Sequence, residues 1–410
     1  MQRFIPTIKY SLLQGSFWMS FCVVYTYASV FLLFKGYSNS QIGIIIAIAG
    51  MISVILQPVV AGLADRGNKI TIRTLIMILA GIVLVCGGIL SVTGLYFLWY
   101  SLFYGILLAT HQMITPLINA VGMECINRGI SVNFGLARGI GSMAYAFMSF
   151  LAGNLIEHFS AGAIPILILG CYIFILVAAW QFRFHLEEGR SKNNIQSEEE
   201  KSKNNLIRQE RNEKKAFFVS HKKFFLLLIG VVLLFITHNM LNNYLFQIMV
   251  FHNGGSREMG IAAGIAAALE LPVMAVFSVV VRKISSGNLL KISGIFFTVK
   301  AFLMFTAPGT VGIYLAQVVQ MLGFALFIPA SVYYANSHMP KEDRAKGQAF
   351  MTAANTAGGV FGSLLGGFLL DKKGVPFMIL ISVLISAVGT VFALVFAESG
   401  RDAEYSRQIR

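Results

Sequence analysis

Long apolar runs, separated by short polar breaks, fill almost the whole chain. They lie at about 9–33, 40–63, 70–92, 95–122, 131–157, 161–183, 222–250, 257–281, 288–306, 310–336, 345–370 and 376–396. A helix rises 1.5 Å per residue, so a run of ~20 residues crosses ~30 Å of hydrocarbon. Lipid gives backbone N–H and C=O groups no partner, which leaves helices or a closed barrel. Barrel strands alternate polar and apolar over ~10 residues; these runs do not alternate. The pattern predicts an all-α integral membrane protein of twelve transmembrane helices.

One polar segment interrupts the series. Residues 184–223 hold ten Lys or Arg and seven Glu and have too few apolar side chains to bury a core. The segment reads as a linker on the cytoplasmic side. It divides the chain into a six-helix half at 1–183, the linker at 184–223, a second six-helix half at 224–397 and a tail at 398–410. The halves match at an offset of 214 residues: Pro58, Val59, Ala61, Lys69 and Ile70 pair with Pro272, Val273, Ala275, Lys283 and Ile284. The stretch "SFLAGNLIEH" (149–158) pairs with "SLLGGFLLDK" (363–372) at the same offset. The expected halves are therefore pseudo-symmetric, an arrangement that in transporters puts the substrate site between repeats.

Composition agrees with this. Of 410 residues 56% are hydrophobic and 12% charged, against ~25% charged in soluble domains. The net charge of +14 reports topology rather than a nucleic-acid partner. With both termini cytoplasmic, 26 of the 32 Lys and Arg fall on that side, four on the other, and two within spans, which is the positive-inside bias. The expected location is the cytoplasmic membrane, multi-pass. Arg3 and Lys9 flank a first run too long for a cleavable leader. The four cysteines have no paired spacing and read as packing residues. No phosphate-binding Gly-rich loop with Lys-Ser/Thr is present. No enzyme activity, cofactor or metal is expected, and the chain reads as a monomer.

Ionisable residues inside spans are costly, roughly 2.5–3.5 kcal/mol each. Arg138, Glu270 and Lys300 are such residues. Two readings stand: mutual pairing that locks helices, or lining of a water-filled cavity. In "NFGLARGIGSMAYAFMSFLAG" (133–153), Arg138, Ser142, Tyr145 and Ser149 share one helical face. That face joins a planar donor fork, a hydroxyl and an aromatic ring. Glu270 is the candidate proton carrier, Lys300 its candidate partner, and His238 then His111 the next carriers. Asn239 and Asn242 in "THNMLNNYLFQ" (237–247), Gln317, Gln320, Trp18 and Tyr25 are expected at the cavity. With Glu270 ionised, the three charges leave one spare positive charge, which favours a negative group on the substrate. Glycines in spans five and eleven read as helix-contact residues.

Between spans two and three, "QPVVAGLADRGNK" (57–69) resembles the signature loop of the major facilitator superfamily, with Asp65 and Arg66 matching and Lys69 among its cations. The resemblance implies the fold of that superfamily and a gating role for these three residues. Within it, "GIIIAIAGMISVILQPVVAGLAD" (43–65), "NFGLARGIGSMAYA" (133–146), "ALELPVMA" (268–275) and "FFTVKAF" (296–302) resemble the lactose-permease (oligosaccharide/proton symporter) group and neighbouring phenylpropionate-type permeases. This implies substrate contact by Arg138 and Tyr145 and coupling by Glu270, with Lys300 where that group has an arginine. The group's proton-handling His and Glu in span ten are replaced by Gln320 and Gly323. Its galactoside acid is absent, with Asn119 the nearest polar group, and Asn239 and Asn242 stand roughly where it has aspartates. The expected function is proton-coupled symport of a small polar solute, a sugar or glycoside. The alternatives are an organic (aromatic) carboxylate or nucleoside symporter, or an efflux permease. The expected partners are a small-molecule substrate, protons and the lipid bilayer.

Overall fold

The computed structural model describes residues 5–65, 71–92, 94–127, 130, 132–181, 221–340 and 343–399. The described elements are all helical. The first half holds α1 (Ile5–Phe21) and α2 (Ala28–Phe34), joined by a π-helical turn at Cys22–Thr26. It continues with α3 (Asn39–Asp65), α4 (Ile72–Ser91), α5 (Phe97–Asn127), α6 (Phe134–Phe159) and α7 (Ile164–Gln181). The second half holds α8 (Lys222–Asn243), α9 (Leu245–Phe251), α10 (Ser256–Val280), α11 (Ser286–Thr306), α12 (Thr310–Gln320), a π-helical turn at Met321–Ala325, α13 (Leu326–His338) and α14 (Arg344–Phe396).

Side-chain caps fix several starts. Thr71 accepts from the Thr74 N–H, Asn133 from the Leu136 N–H, and Ser285 from the Asn288 N–H, each satisfying one of the amides a helix start leaves free. Ten helices are long and apolar enough to cross a membrane, or eleven when the bent pair Ile5–Thr26 and Ala28–Phe34 is taken as one. The last of them carries two of the expected spans. Gly374 breaks α14 at φ +77°, a left-handed turn that glycine adopts without a Cβ penalty. Gly358 lies against Phe235 and Gly389 against Gly230, so the two arms of α14 fold back along the same helix, α8.

The turns at 35–38, 252–255 and 371–375 share one end of the bundle, the turn end. Gln181 and Lys222, which flank the linker, mark the other, the linker end. Two helix pairs join the halves, α6 with α10 and α3 with α14. Both are tightest at the turn end. A Cβ on Gly260 would lie 2.4 Å from the Ser149 carbonyl oxygen, and one on Gly153 2.7 Å from that of Ser256. Nearer the linker end, a Cβ on Gly264 would lie 3.3 Å from the Ala146 oxygen, and one on Gly139 meets only the Leu271 side chain at 3.5 Å. In the other pair, a Cβ on Gly367 would be 2.2 Å from the Asn39 oxygen and one on Gly43 2.3 Å from the Ser363 oxygen. At Gly50 the neighbour is a Val360 methyl at 3.7 Å, and at Gly62 nothing lies within 4 Å. Both crossings close on backbone at the turn end and splay toward the linker.

The pseudo-symmetry has two registers. Ser149, Gly153 and Glu157 correspond to Ser363, Gly367 and Asp371 at the offset of 214. Tyr27, Gly43 and Asn39 correspond to Tyr244, Gly260 and Ser256 at an offset three residues longer. The single offset expected from sequence therefore holds along α6 and α14 but not at the outer ends of the partner helices. Tyr27 and Tyr244 end their helical segments at φ/ψ of −95°/9° and −111°/22°. The first helical span of each half breaks at an equivalent tyrosine.

Candidate functional site

Where the crossings splay, a cavity of about 410 Å³ lies between the halves. Its first-half wall includes Trp18, Phe21, Tyr25, Arg138, Ser142 and Tyr145. Both π-helical turns border it, through Tyr25 and Thr26 in one and Phe324 in the other. Such turns displace the helix register locally and recur at functional sites.

The first-half wall is held by stacked rings and short hydrogen bonds. The Arg138 guanidinium carbon sits 3.9 Å from the Trp18 ring centroid, a cation–π contact worth ~0.5–2 kcal/mol. Trp18 is anchored in turn by its Nε1–H to Gln14 Oε1 at 3.0 Å, and Gly141 gives it room: a Cβ there would lie 2.5 Å from the indole. Arg138 also donates to Ser142 Oγ at 3.1 Å. A guanidinium has five N–H donors, so the fork keeps donors beyond this one bond. No carboxylate among the described residues is within ion-pair distance of it. The Tyr145 hydroxyl meets Thr26 at 2.6 Å, and Phe21 stacks on Tyr25 at 5.0 Å. Tyr25 donates to the Leu108 carbonyl at 3.0 Å.

The second-half wall is built of amides. His238, Asn239, Asn242, Glu270, Gln317 and Gln320 line it. Asn239 donates to the Phe235 carbonyl at 2.8 Å. Gln320 Nε2 donates to Glu270 Oε1 at 3.3 Å, and its Oε1 accepts from Lys300. Lys300 also donates to Asn242 Oδ1 at 3.1 Å, and Asn242 Nδ2 faces His238 Nε2 at 2.9 Å. Two acceptors on this side, Gln317 Oε1 and Asn355 Oδ1, are buried without a protein partner. A buried polar atom left unpaired costs ~1–3 kcal/mol, and both atoms are shielded from the cavity as the side chains stand.

The structure therefore brings together Arg138, Ser142, Tyr145, Trp18, Tyr25, Asn239, Asn242, Gln317, Gln320, Glu270 and His238 around one cavity. Lys300 is 2% exposed and stands behind the wall; Gln320 intervenes between it and Glu270. Asn119 is drawn away, accepting from Gln14 Nε2 at 3.3 Å. Ser149, on the Arg138 face, reaches past the cavity to the opposite half, donating to the Gly260 carbonyl at 2.8 Å. His111 is fully buried between Tyr172 and the Phe17 ring, off the cavity. Arg66 and Lys69 and the Asp65 side chain lie outside the described residues. The sequence reading overlooked Gln112 and Asn355, which also line the cavity. Both are amides within apolar runs, the same signal that singled out Gln317 and Gln320.

Comparison with known proteins gives the architecture its relatives. The chain is 24% identical over 362 residues to the uncharacterized transporter YwbF of Bacillus subtilis (strain 168), covering 86% of this chain and 83% of that one. It is 23% identical over 394 residues to the maltose permease of Geobacillus stearothermophilus, covering 93% and 94%. Among solved structures, a variant of the nucleoside transporter NupG superposes with a TM-score of 0.74 at 15% identity, covering 95% of this chain and 98% of that one. The D-xylose-proton symporter superposes with a TM-score of 0.68 at 15% identity, covering 96% and 97%. The family model described as "MFS_1 like family" matches residues 10–381. This chain, a multi-pass membrane transporter, belongs to the MFS_1 like family.

Proposed function

We propose that the protein is a proton-coupled symporter that carries a sugar or glycoside across the cytoplasmic membrane by alternating access. The observation that carries this reading is an arginine fork facing a wall of amides across one cavity. Arg138 keeps N–H donors beyond its bond to Ser142 on one wall, and Asn239, Asn242 and Gln320 present amides on the other. A hydroxyl both donates and accepts, so a ring bearing several hydroxyls satisfies both walls at once. The rings of Phe21, Tyr25 and Tyr145 offer its apolar face a surface. The resemblance to a maltose permease, a xylose–proton symporter and a nucleoside transporter supports a sugar-bearing solute. Glu270 carries the coupling proton in this reading, and the cavity faces the cytoplasm when the turn end is closed.

The test is uptake into proteoliposomes, with and without an inward proton gradient, of a panel of maltose, xylose and nucleosides. Gradient-driven accumulation of at least one is expected. Glu270→Gln is expected to keep exchange and lose accumulation above equilibrium. Accumulation that survives this substitution moves the proton to another carrier, His238 first.

The unpaired guanidinium of Arg138 favours a second reading, an organic anion held by a two-bond fork. Competition by aromatic carboxylates that disappears in Arg138→Gln, with no competition by sugars, would establish it in place of the first.

A further inference from the structure

Among the described residues, Lys300 touches two amides and no carboxylate. Its ammonium donates to Asn242 Oδ1 and to Gln320 Oε1. An ammonium has three donors and no acceptor, so both amides must turn C=O toward it and NH2 away. The far ends follow from that. Gln320 Nε2 points at Glu270 Oε1, and Asn242 Nδ2 faces the His238 imidazole, 2.9 Å from Nε2 and 3.3 Å from Nδ1, so that one of these nitrogens accepts. A single buried cation thus sets the direction of a chain of hydrogen bonds, Glu270–Gln320–Lys300–Asn242–His238, whose other four members line the cavity.

We propose that Lys300 is a positioning residue that keeps Gln320 from accepting from Glu270, so that a proton taken up by Glu270 is held on the oxygen turned away from Gln320, toward the cavity. For Glu270 to donate its proton to Gln320, the amide would have to rotate and set its NH2 against the Lys300 ammonium, donor against donor. With that route closed, protonated Glu270 offers its O–H to whatever occupies the cavity. Proton and solute then meet at one atom, and ionised Glu270 withdraws that donor. The charged and titratable groups around Glu270 on α10 are Arg138 and Tyr145 from α6, Lys300 from α11 and, through Asn242, His238 from α8.

The inference rests on the reading of Glu270 as the coupling carboxyl for its meaning, but its test needs no solute. The reconstituted full chain is titrated by infrared difference spectroscopy, reading the carboxyl band that Glu270→Gln removes. In the wild-type background Gln320 acts on Glu270 as a donor. In Lys300→Met it is free to rotate and act as an acceptor. Gln320→Leu is therefore expected to raise the midpoint of the band in the wild-type background and to raise it much less, or lower it, with Lys300→Met. The wild-type shift should be about one pH unit, the scale of one hydrogen bond to a charged group. Lys300→Arg, also donor-only, is expected to keep the wild-type direction, and this variant carries the test if Lys300→Met does not fold. A rise with Lys300→Met as large as in the wild type, or a reversed sign with Lys300→Arg, would overturn the proposal. Failure of sugar transport would leave this result intact, which separates it from the functional reading.

Discussion

The two crossings that join the halves at the turn end are near copies, and they differ most at their helix starts. Tyr27 donates to the Ser149 carbonyl at 2.6 Å, and Tyr244 to the Ser363 carbonyl at 2.6 Å. Each tyrosine oxygen also crowds a pair of glycines, Gly153 and Gly260 in one crossing and Gly367 and Gly43 in the other. The helix starts set them apart. The first amides of α10 are served from within its own half, Gly255 N–H donating to Glu258 Oε2 at 2.7 Å. Those of α3 are served by the other half: Asp371 accepts from Asn39 N and Nδ2 at 3.1 and 2.9 Å and from Ser40 N at 2.7 Å. Gln247, also from the second half, donates to Asn39 Oδ1 at 2.9 Å. Glu157, the equivalent of Asp371, comes close to Gly255 but finds those amides partly served. One crossing is thus held by shape and by the Ser149–Gly260 bond. The other adds a carboxylate on the positive end of a helix, and those bonds must break when the halves part.

The comparison can be broken most severely at the glycines. Gly43→Val puts a Cβ 2.3 Å from a backbone oxygen that cannot step aside. Overpacking of this kind costs ~1–3 kcal/mol, roughly a 5- to 150-fold shift away from the closed state. Spin labels at Ser38 and Asn253 should report a longer distance across the turn end, and Gly260→Val should match it from the other crossing. An unchanged distance would mean that neither contact limits closure.

A smaller effect sharpens the difference. Asp371→Ala is expected to weaken closure by about 1 kcal/mol, since charge-assisted bonds at an exposed site are discounted by solvent. Glu157→Ala is expected to change it by less than about 0.5 kcal/mol. The ratio of solvent-exchange rates at the two seams, read by hydrogen exchange, measures both. Equal effects would erase the asymmetry.

The smallest effect is that of pH. Asp371 lies in the turn between the last two spans. Partial burial pushes its carboxyl up, but the bonds from Ser40 and Asn39 outweigh this and hold it below the usual 3.8. A carboxyl lowered in the closed state stabilises that state fully above its ordinary value and loses the effect as pH falls through the lowered one. Closure should therefore be flat in pH from neutral down to about 5 and weaken only in strong acid. Asp371→Asn should remove that acid limb. A transition near neutrality that vanishes in this variant would contradict the assignment.

The fold was legible because lipid leaves the backbone few choices. Apolar length alone located the spans. The Arg138, Ser142 and Tyr145 stripe was legible because helical period fixes which residues share a face. Depth was not legible. Period places Lys300 on a face without saying that Gln320 would stand between it and Glu270. Asn119 lost its place at the cavity to a partner, Gln14, 105 positions away. The Asp371 contact joins residues 332 positions apart across two helices whose registers differ by three, and no local pattern records such a pair.

The glycine seams also bear on how fast the halves can part. Most contacts between proteins immobilise side chains, at up to ~2 kcal/mol of rotamer entropy for a long one. Where Gly43, Gly260 and Gly367 meet carbonyl oxygens, one partner has no side chain to freeze and the other atom is already fixed in its helix. Such a seam shuts with little ordering and reopens without having to release any, as suits a surface that must separate in every cycle.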